Sequence, residues 1–176
     1  MFNRRSGHRR SLPIWMLAAV VLSMTACGYR FSAGEKLGEN ISTVSVKMLE
    51  NRTAETGVEH IFTNDLIFEF TKNGNTVVES DDADAVLSGT IVAMPVATVA
   101  YRGQITSVER RITAVVSLSL SDRNGEIIWS ANGISESETY GILTEKIATD
   151  YNKREAIRAL SQRLAEAVYS RITDKF

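Results

Sequence analysis

The residue types best suited to nucleophilic, acid–base or soft-metal chemistry are scarce, because the 176-residue chain has two histidines and one cysteine. His60 stands beside Glu59, and no serine or threonine at a recognisable spacing would make it the base of a nucleophile pair. After cleavage of an N-terminal segment that contains His8, His60 would be the only histidine; as a zinc ligand it lacks a second histidine or cysteine, and Asn64 at i+4 is a poor substitute. The sequence therefore predicts a partly exposed helix histidine, no metal site and no enzyme.

A short acidic segment is a second place to look for chemistry. The carboxylates of Asp81, Asp82 and Asp84 would suit a hard cation, but the glycine and distal glutamate of a calcium loop are missing. Runs of like charge are normally solvated. We favour a solvated acidic turn and keep calcium as the alternative.

One segment has a local positive charge, although the rest of the chain after the N-terminal segment has more acidic than basic residues. Between Tyr101 and Arg111 it carries Arg102, Arg110 and Arg111 against the single acid Glu109. Guanidinium groups at a strand edge suit phosphate or carboxylate through forked hydrogen bonds. Alternatively, these arginines offset the acidic turn or keep an edge strand soluble. Both interpretations stay open.

The N-terminal segment has the layout of a secretory signal. Four arginines lie in the first eleven residues, and an uncharged stretch from Ser11 to Gly28 follows, with an apolar centre from Ile14 to Leu22. The apolar run is shorter than the roughly 20 residues of a spanning helix. Cleavage of residues 1–26 would leave 16 basic and 21 acidic residues, a balance that disfavours nucleic-acid binding.

Cys27 lies at the end of this segment, in Met24-Thr25-Ala26-Cys27-Gly28. This sequence resembles the lipobox of bacterial lipoproteins. The resemblance implies that Cys27 becomes the first residue of the mature chain and carries N-acyl and S-diacylglycerol groups, with no other cofactor. Such chains, at about 0.8 kcal/mol per buried methylene, hold a protein on a membrane durably. The alternative is a spare thiol near an ordinary cleavage site.

Hydrophobic periodicity predicts the first elements that follow. Residues 27–40 are a tether, and the alternation from Thr43 to Met48 predicts a strand. Thr56-x-x-Glu59 has the form of a capping box, and Gly74 supplies a stop, so a helix is predicted over 57–73.

The rest of the chain is predicted as strands followed by a helix. Strands are expected at Val86–Val92, Arg111–Leu120 and Glu126–Ser130, with Pro95 at a bulge or an edge and a hairpin turn at Asp122–Gly125. A final helix opens near Asp150 with a stripe of aliphatic residues: Ile157, Leu160, Leu164, Val168 and Ile172.

This order predicts an α+β fold with a single domain over 41–176. The expected architecture is a two-layer sandwich in which a roughly four-stranded, mostly antiparallel sheet carries two helices on one face, in the order β-α-β-β-β-α.

Several of these features together resemble one family, the lipopolysaccharide-assembly lipoproteins LptE. They are the start Cys27-Gly28-Tyr29-Arg30-Phe31 after the lipobox, the alternating strand, the capped helix, the strand Leu87-Ser88-Gly89-Thr90, the hairpin ending near Trp129 and the basic C-terminal helix. The resemblance implies an outer-membrane lipoprotein that plugs the lumen of the β-barrel LptD, assists its assembly and contacts lipopolysaccharide. Cys27 is then the anchor in the inner leaflet of that membrane, and hydroxyl-rich strand faces meet the polar barrel interior.

On this hypothesis Arg102, Arg110 and Arg111 contact phosphates of lipid A or the inner core. That assignment rests on local charge alone. Because the mature chain is acidic, the contact should be local and salt-sensitive.

A different class of function stays open. A periplasmic adaptor lipoprotein, such as a cell-wall synthase activator or a secretin pilot, would share the anchor and the size but bind a soluble partner. A small periplasmic hydrolase is a third possibility.

Overall fold

The computed structural model describes residues 37, 41–80, 82–102 and 106–176; within these ranges the side chains of residues 102, 106 and 107 are not described. The predictions for the signal segment, for Cys27 and for nearly all of the tether lie outside the described residues.

Seven strands and two helices make up the described chain. They are β1 Thr43–Val46, β2 Glu50–Asn51, α1 Val58–Lys72, β3 Thr76–Val77, β4 Ala85–Ala93, β5 Val96–Arg102, β6 Thr106–Asp122, β7 Ile127–Gly141 and α2 Lys146–Thr173. The α+β class is confirmed. The mostly antiparallel four-stranded sheet is wrong, because the sheet is mixed and has more strands.

The sheet is organised around β6, the longest strand. β4 and β5 pair antiparallel with successive parts of β6 along one side, and β7 pairs antiparallel along the other. β1 and β2 both pair parallel with β4, and β1 also pairs parallel with β3 at the sheet edge. The parallel part follows from α1, since a helical crossover returns the chain to the end from which β1 started.

One face of the sheet forms the core with both helices. The β6 residues predicted to share a face are all buried: Ile112, Ala114, Val116, Leu118 and Leu120. The predicted α2 stripe is buried as well: Ile157, Leu160, Leu164, Val168 and Ile172. Leu37 is fully buried and belongs to the same cluster. Each side chain of this size contributes about 1.5–3 kcal/mol when fully buried.

The helix α1 matches its prediction within one residue at each end, but its start differs in detail. The residue before the helix is Gly57, with φ of 81° and no side-chain cap, so the predicted capping box is wrong. Glu59 instead accepts a hydrogen bond from Asn51 Nδ2 at 2.8 Å. At the other end Gly74 adopts φ of 86°, as its predicted role as a stop requires.

The helix α2 begins four residues before the predicted Asp150. Thr149 Oγ1 accepts the backbone N–H of Leu143 at 2.9 Å, which closes the loop ahead of the helix. The first turns expose Ile147 and Tyr151, so the buried stripe used for the prediction starts well inside the helix. No helix in the described part of the chain has the length and apolarity needed to span a bilayer.

The hairpin turn at Asp122–Gly125 is confirmed, although its geometry is not the one expected. Only Gly125 has positive φ, at 81°, whereas Asn124 does not. The Asp122 carboxylate accepts the backbone N–H groups of Asn124 and Glu126 at 2.8 and 2.9 Å and shapes the turn. Beyond the turn, β7 runs to Gly141, whereas the predicted strand ended at Ser130. The prediction ended too early because a bulge at residues 132–133 interrupts the alternation of the sequence.

Candidate interaction surface

The face of the sheet opposite the helices, here called the open face, is rich in hydroxyl groups. On β6 it presents the residues that alternate with the core, and the pairing register adds their neighbours on β4 and β7. The hydroxyl side chains of the open face are Ser88, Thr90, Thr113, Ser117, Ser119, Ser121, Ser130, Ser135, Ser137 and Thr139. Ser88 and Ser119 form a hydrogen bond across β4 and β6 at 3.3 Å. Neither described helix covers this face.

The predicted arginine cluster is divided between the two faces. Arg110 pairs with Tyr140 and lies on the same face as Ile112, whereas Arg111 pairs with Thr139 and lies on the open face. Both are exposed, and neither forms an ion pair with the side chains that the structure describes. Arg102 is the last residue of β5 and pairs with Thr106; the structure does not describe its side chain. Adjacent strand residues point to opposite faces, so Arg110 and Arg111 do not form one patch.

The end of the sheet that carries these arginines, here called the far end, also exposes apolar side chains that the sequence analysis missed. Ile142 N–H donates to Val108 O at 2.9 Å, which holds the start of α2 beside the start of β6. Leu143, Ile147 and Tyr151 are 53%, 82% and 56% exposed. Ile147 and Tyr151 lie four residues apart in the first turns of α2, and this spacing was a readable signal of one helical face.

The opposite end of the sheet, here called the turn end, is fastened by Asp84. Its Oδ2 accepts the N–H groups of Ser42 and Thr43 at 2.9 and 2.8 Å and the Thr43 hydroxyl at 2.9 Å, and its Oδ1 pairs with Arg123. The backbone N–H of Thr43 is the main cause that lowers the pKa of the Asp84 carboxyl below 3.8. Asp84 therefore ties the first strand to the hairpin turn.

This role bears on the acidic turn, where calcium was the alternative. Asp84 already accepts four donors, Asp82 is exposed and Asp81 lies outside the described residues. Within the described ranges no three acidic, histidine or cysteine side chains are grouped to hold a metal ion. His60 is exposed on α1.

Side chains of α2 protect the outer edge of β7. Arg163 Nη2 donates to Ser137 O at 2.7 Å, Asn152 Nδ2 to Gly141 O at 3.1 Å and Lys175 Nζ, just past the helix, to Ile128 O at 3.2 Å. Arg163 also pairs with Glu138 at 2.5 Å. The backbone N–H of Thr139, followed by Arg163, lowers the pKa of the Glu138 carboxyl. These contacts occupy carbonyl groups that an unprotected edge would offer to another strand.

Comparison with known proteins gives a family and a fold. A family model described as LptE, lipopolysaccharide-assembly, matches residues 41–172. A search of curated proteins finds no match.

Solved structures with a similar fold are named lipoproteins. Lipoprotein B from Nitrosomonas europaea has a TM-score of 0.56 and 11% identity, over 76% of this chain and 83% of that one. Rare lipoprotein B from Shewanella oneidensis has 0.54 and 12%, over 76% and 95%. A minor lipoprotein from Acinetobacter baumannii has 0.53 and 20%, over 77% and 92%.

At these identities the structural likeness establishes the fold, whereas the family model covers three quarters of the sequence. The chain therefore belongs to the LptE family of lipopolysaccharide-assembly proteins.

Proposed function

We propose that the protein is a lipid-anchored component of outer-membrane lipopolysaccharide assembly that docks through its open face inside the β-barrel LptD. Family membership over residues 41–172 supports the pathway. The lipoprotein names of similar folds from Acinetobacter and Shewanella agree with a lipid anchor. The role is that of a plug and assembly partner, without catalysis.

The anchor belongs to the N-terminal segment. Residues 1–26 are a signal that is removed, Cys27 carries the acyl groups, and residues 28–40 tether the domain at 41–176 to the periplasmic side of the outer membrane. The described domain begins at the turn end, where Asp84 holds Ser42 and Thr43.

The hydroxyl composition of the open face is the observation that carries the proposal. Interior surfaces of outer-membrane barrels are polar and wet. A hydroxyl group both donates and accepts, so a face lined with serine and threonine can pair with such a surface in many local arrangements. An adaptor that binds a soluble domain would more often offer a patch with an apolar centre.

Arg111 is the arginine that this geometry favours for lipopolysaccharide. It is exposed on the open face between Thr113 on β6 and the paired Thr139 on β7. Its guanidinium fork matches the oxygens of a phosphate group. Arg110, on the other face of β6, and Arg102, at the end of β5, remain candidates for contact at the far end.

The test is a detergent pull-down of the tagged full-length protein from outer membranes, followed by mass identification of what is recovered. Recovery of a large β-barrel in near-equal amount is expected. Ser119→Arg, at the centre of the open face, should abolish most of that recovery, because a charge buried without a partner is costly. Ser170→Arg, on the exposed side of α2, is the matched control, and thermal unfolding checks that both variants fold.

Two outcomes would contradict the docking proposal. Recovery of a soluble periplasmic protein without a barrel would favour the adaptor function. Equal barrel recovery with both arginine variants would exclude the open face as the docking surface.

Lipopolysaccharide is quantified in the same eluates. Arg111→Glu should reduce it, and added salt should reduce it in the unmodified protein, since exposed charges are screened beyond about 10 Å at 0.1 M salt. Arg171→Glu, an exposed substitution on α2, is the control. If Arg111→Glu retains as much lipopolysaccharide as the control, the assignment of Arg111 is wrong.

A further inference from the structure

Three asparagine–glycine pairs occur in the described chain, at 73–74, 124–125 and 132–133. The glycines have φ of 86°, 81° and 71°. Glycine places no side chain beside its backbone nitrogen, so this nitrogen can attack the preceding asparagine carboxamide more easily than in other sequences. Because the three pairs share this local chemistry, differences in the rate of this attack must come from the fold.

The pair at the end of α1 is held at both reacting groups. Asn73 Nδ2 donates to Glu69 O and to Glu69 Oε1, each at 2.8 Å. The nitrogen of Gly74 donates to Thr71 O at 3.0 Å. Attack would require these hydrogen bonds to break first.

The pair in the hairpin turn is held in a similar way. Asn124 Nδ2 donates to Asp122 Oδ2 at 3.2 Å, and the nitrogen of Gly125 donates to Asp122 O at 3.0 Å. Its backbone is also fixed by the N–H of Asn124, which donates to Asp122 Oδ1 at 2.8 Å.

The third pair lies in the β7 bulge and lacks such restraint on its carboxamide. The register passes from Val116–Ile134 to Leu118–Ala131, so Asn132 and Gly133 together face the single residue Ser117 and neither has a partner in the register. A bulge leaves its extra residue unpaired. Asn132 and Gly133 are both exposed, and the Asn132 carboxamide makes no hydrogen bond with the residues that the structure describes.

We propose that Asn132 is a spontaneous deamidation site. The Gly133 nitrogen loses its proton and attacks Cγ of Asn132, forming an N–Cγ bond as the bond from Cγ to Nδ2 breaks and ammonia leaves with a proton. The product is a cyclic imide, which water then opens. Cleavage at Cγ gives aspartate at position 132, and cleavage at the main-chain carbonyl carbon gives isoaspartate, with one extra methylene in the main chain. Water is the only co-reactant.

The modification would change the surface on which it occurs. It places a carboxylate at the bulge opposite Ser117, beside hydroxyl groups of the open face that carry no charge. Isoaspartate would also lengthen β7 at the point where its register already shifts.

The test follows the three sites within one molecule. Full-length protein is aged in mildly alkaline buffer and digested, and the peptides that contain each pair are quantified by mass spectrometry. Deamidation at Asn132 should be at least roughly tenfold faster than at Asn73, where three hydrogen bonds must break first. Asn132→Gln should remove the product from its peptide, whereas Asn124→Gln should leave the Asn132 product unchanged.

Ageing in strong denaturant separates the effect of the fold from that of the sequence. With all native hydrogen bonds lost, the three rates should converge. Equal or faster reaction at Asn73 or Asn124 in the native protein would overturn the proposal, and so would the same ranking in denaturant.

Discussion

Among the glycines of the described sheet, Gly89 on β4 leaves the least room for a side chain. A Cβ atom at this position would stand 2.3 Å from the backbone oxygen of Ser117 and 2.5 Å from Leu118 Cδ2. Real Cβ atoms do not occupy such distances, so the strands would have to separate. The Leu87-Ser88-Gly89-Thr90 sequence thus contains a packing requirement, which spacing alone does not reveal.

We therefore expect Gly89→Ala to lower the free energy of unfolding by at least the roughly 1–3 kcal/mol typical of overpacking. Gly141→Ala is the matched control, because its Cβ would meet only Asn152 Nδ2, at 3.9 Å. Urea unfolding of both variants measures the difference. Equal stability of the two variants would show that the close approach imposes no cost.

At this scale the sequence predicted the core residues of β6 but misjudged the arginines. Strict alternation from Ile112 to Leu120 was enough to identify the buried face, because one side is uniformly apolar. The same alternation implied that Arg110 and Arg111 point apart, and grouping them by local charge ignored it. The position of Arg102 could not be predicted, since two register shifts in the β5–β6 pairing separate it from them.

At the scale of elements, α2 protects the outer edge of β7. β7 is a fifteen-residue strand that pairs only with β6 among the described strands. Long edges of this kind invite pairing with other chains. Arg163 reduces that risk by occupying the Ser137 carbonyl and by holding Glu138, whose carboxylate accepts the Thr139 N–H at 3.0 Å.

We expect Arg163→Ala to increase self-association clearly and to lower the free energy of unfolding only slightly. The ion pair with Glu138 is partly exposed, so its loss should cost no more than about 1 kcal/mol. The uncovered edge should instead raise the concentration-dependent mass measured by light scattering. Arg171→Ala is the control on the same helix, and equal association of both variants would mean that Arg163 does not protect the edge.

Helices and strands could be predicted from the sequence where the periodic spacing of apolar residues extends over many residues. α1 was placed within one residue, because its apolar spacing ends at a glycine with φ of 86°. The parallel half of the sheet was missed because β2 and β3 have two residues each and show no alternation. Hydroxyl-rich strand faces were expected from the sequence, but the extent of the open face was not, since it depends on the register of β4 and β7 against β6.

At the scale of the whole molecule, Asp84 couples the start of β1 to the hairpin turn that ends β6. Its four donors come from Ser42, Thr43 and Arg123. Because the folded state lowers the pKa of this carboxyl, the unfolded state binds more protons as pH falls. The resulting stability is complete above the ordinary value of 3.8 and is lost as pH falls through the lower folded value.

Asp84→Asn should therefore destabilise the protein at neutral pH, and the difference from the unmodified protein should shrink in acid. Thermal unfolding across this pH range measures both effects. Asp82→Asn, an exposed neighbour, is the control and should show no such convergence. A difference for Asp84→Asn that is independent of pH would contradict the role of its charge.

The length of β6 also sets a distance across the molecule. From Arg111 to Asp122 the strand measures about 35 Å at the usual rise per residue. That exceeds the roughly 30 Å of a bilayer's hydrocarbon core. β1 starts at the turn end, where Asp84 holds Thr43, and Arg111 lies towards the far end. Under the proposed function, in which one leaflet holds the anchor and a barrel encloses the sheet, a separation of this length would let Arg111 act far from the leaflet that holds the anchor.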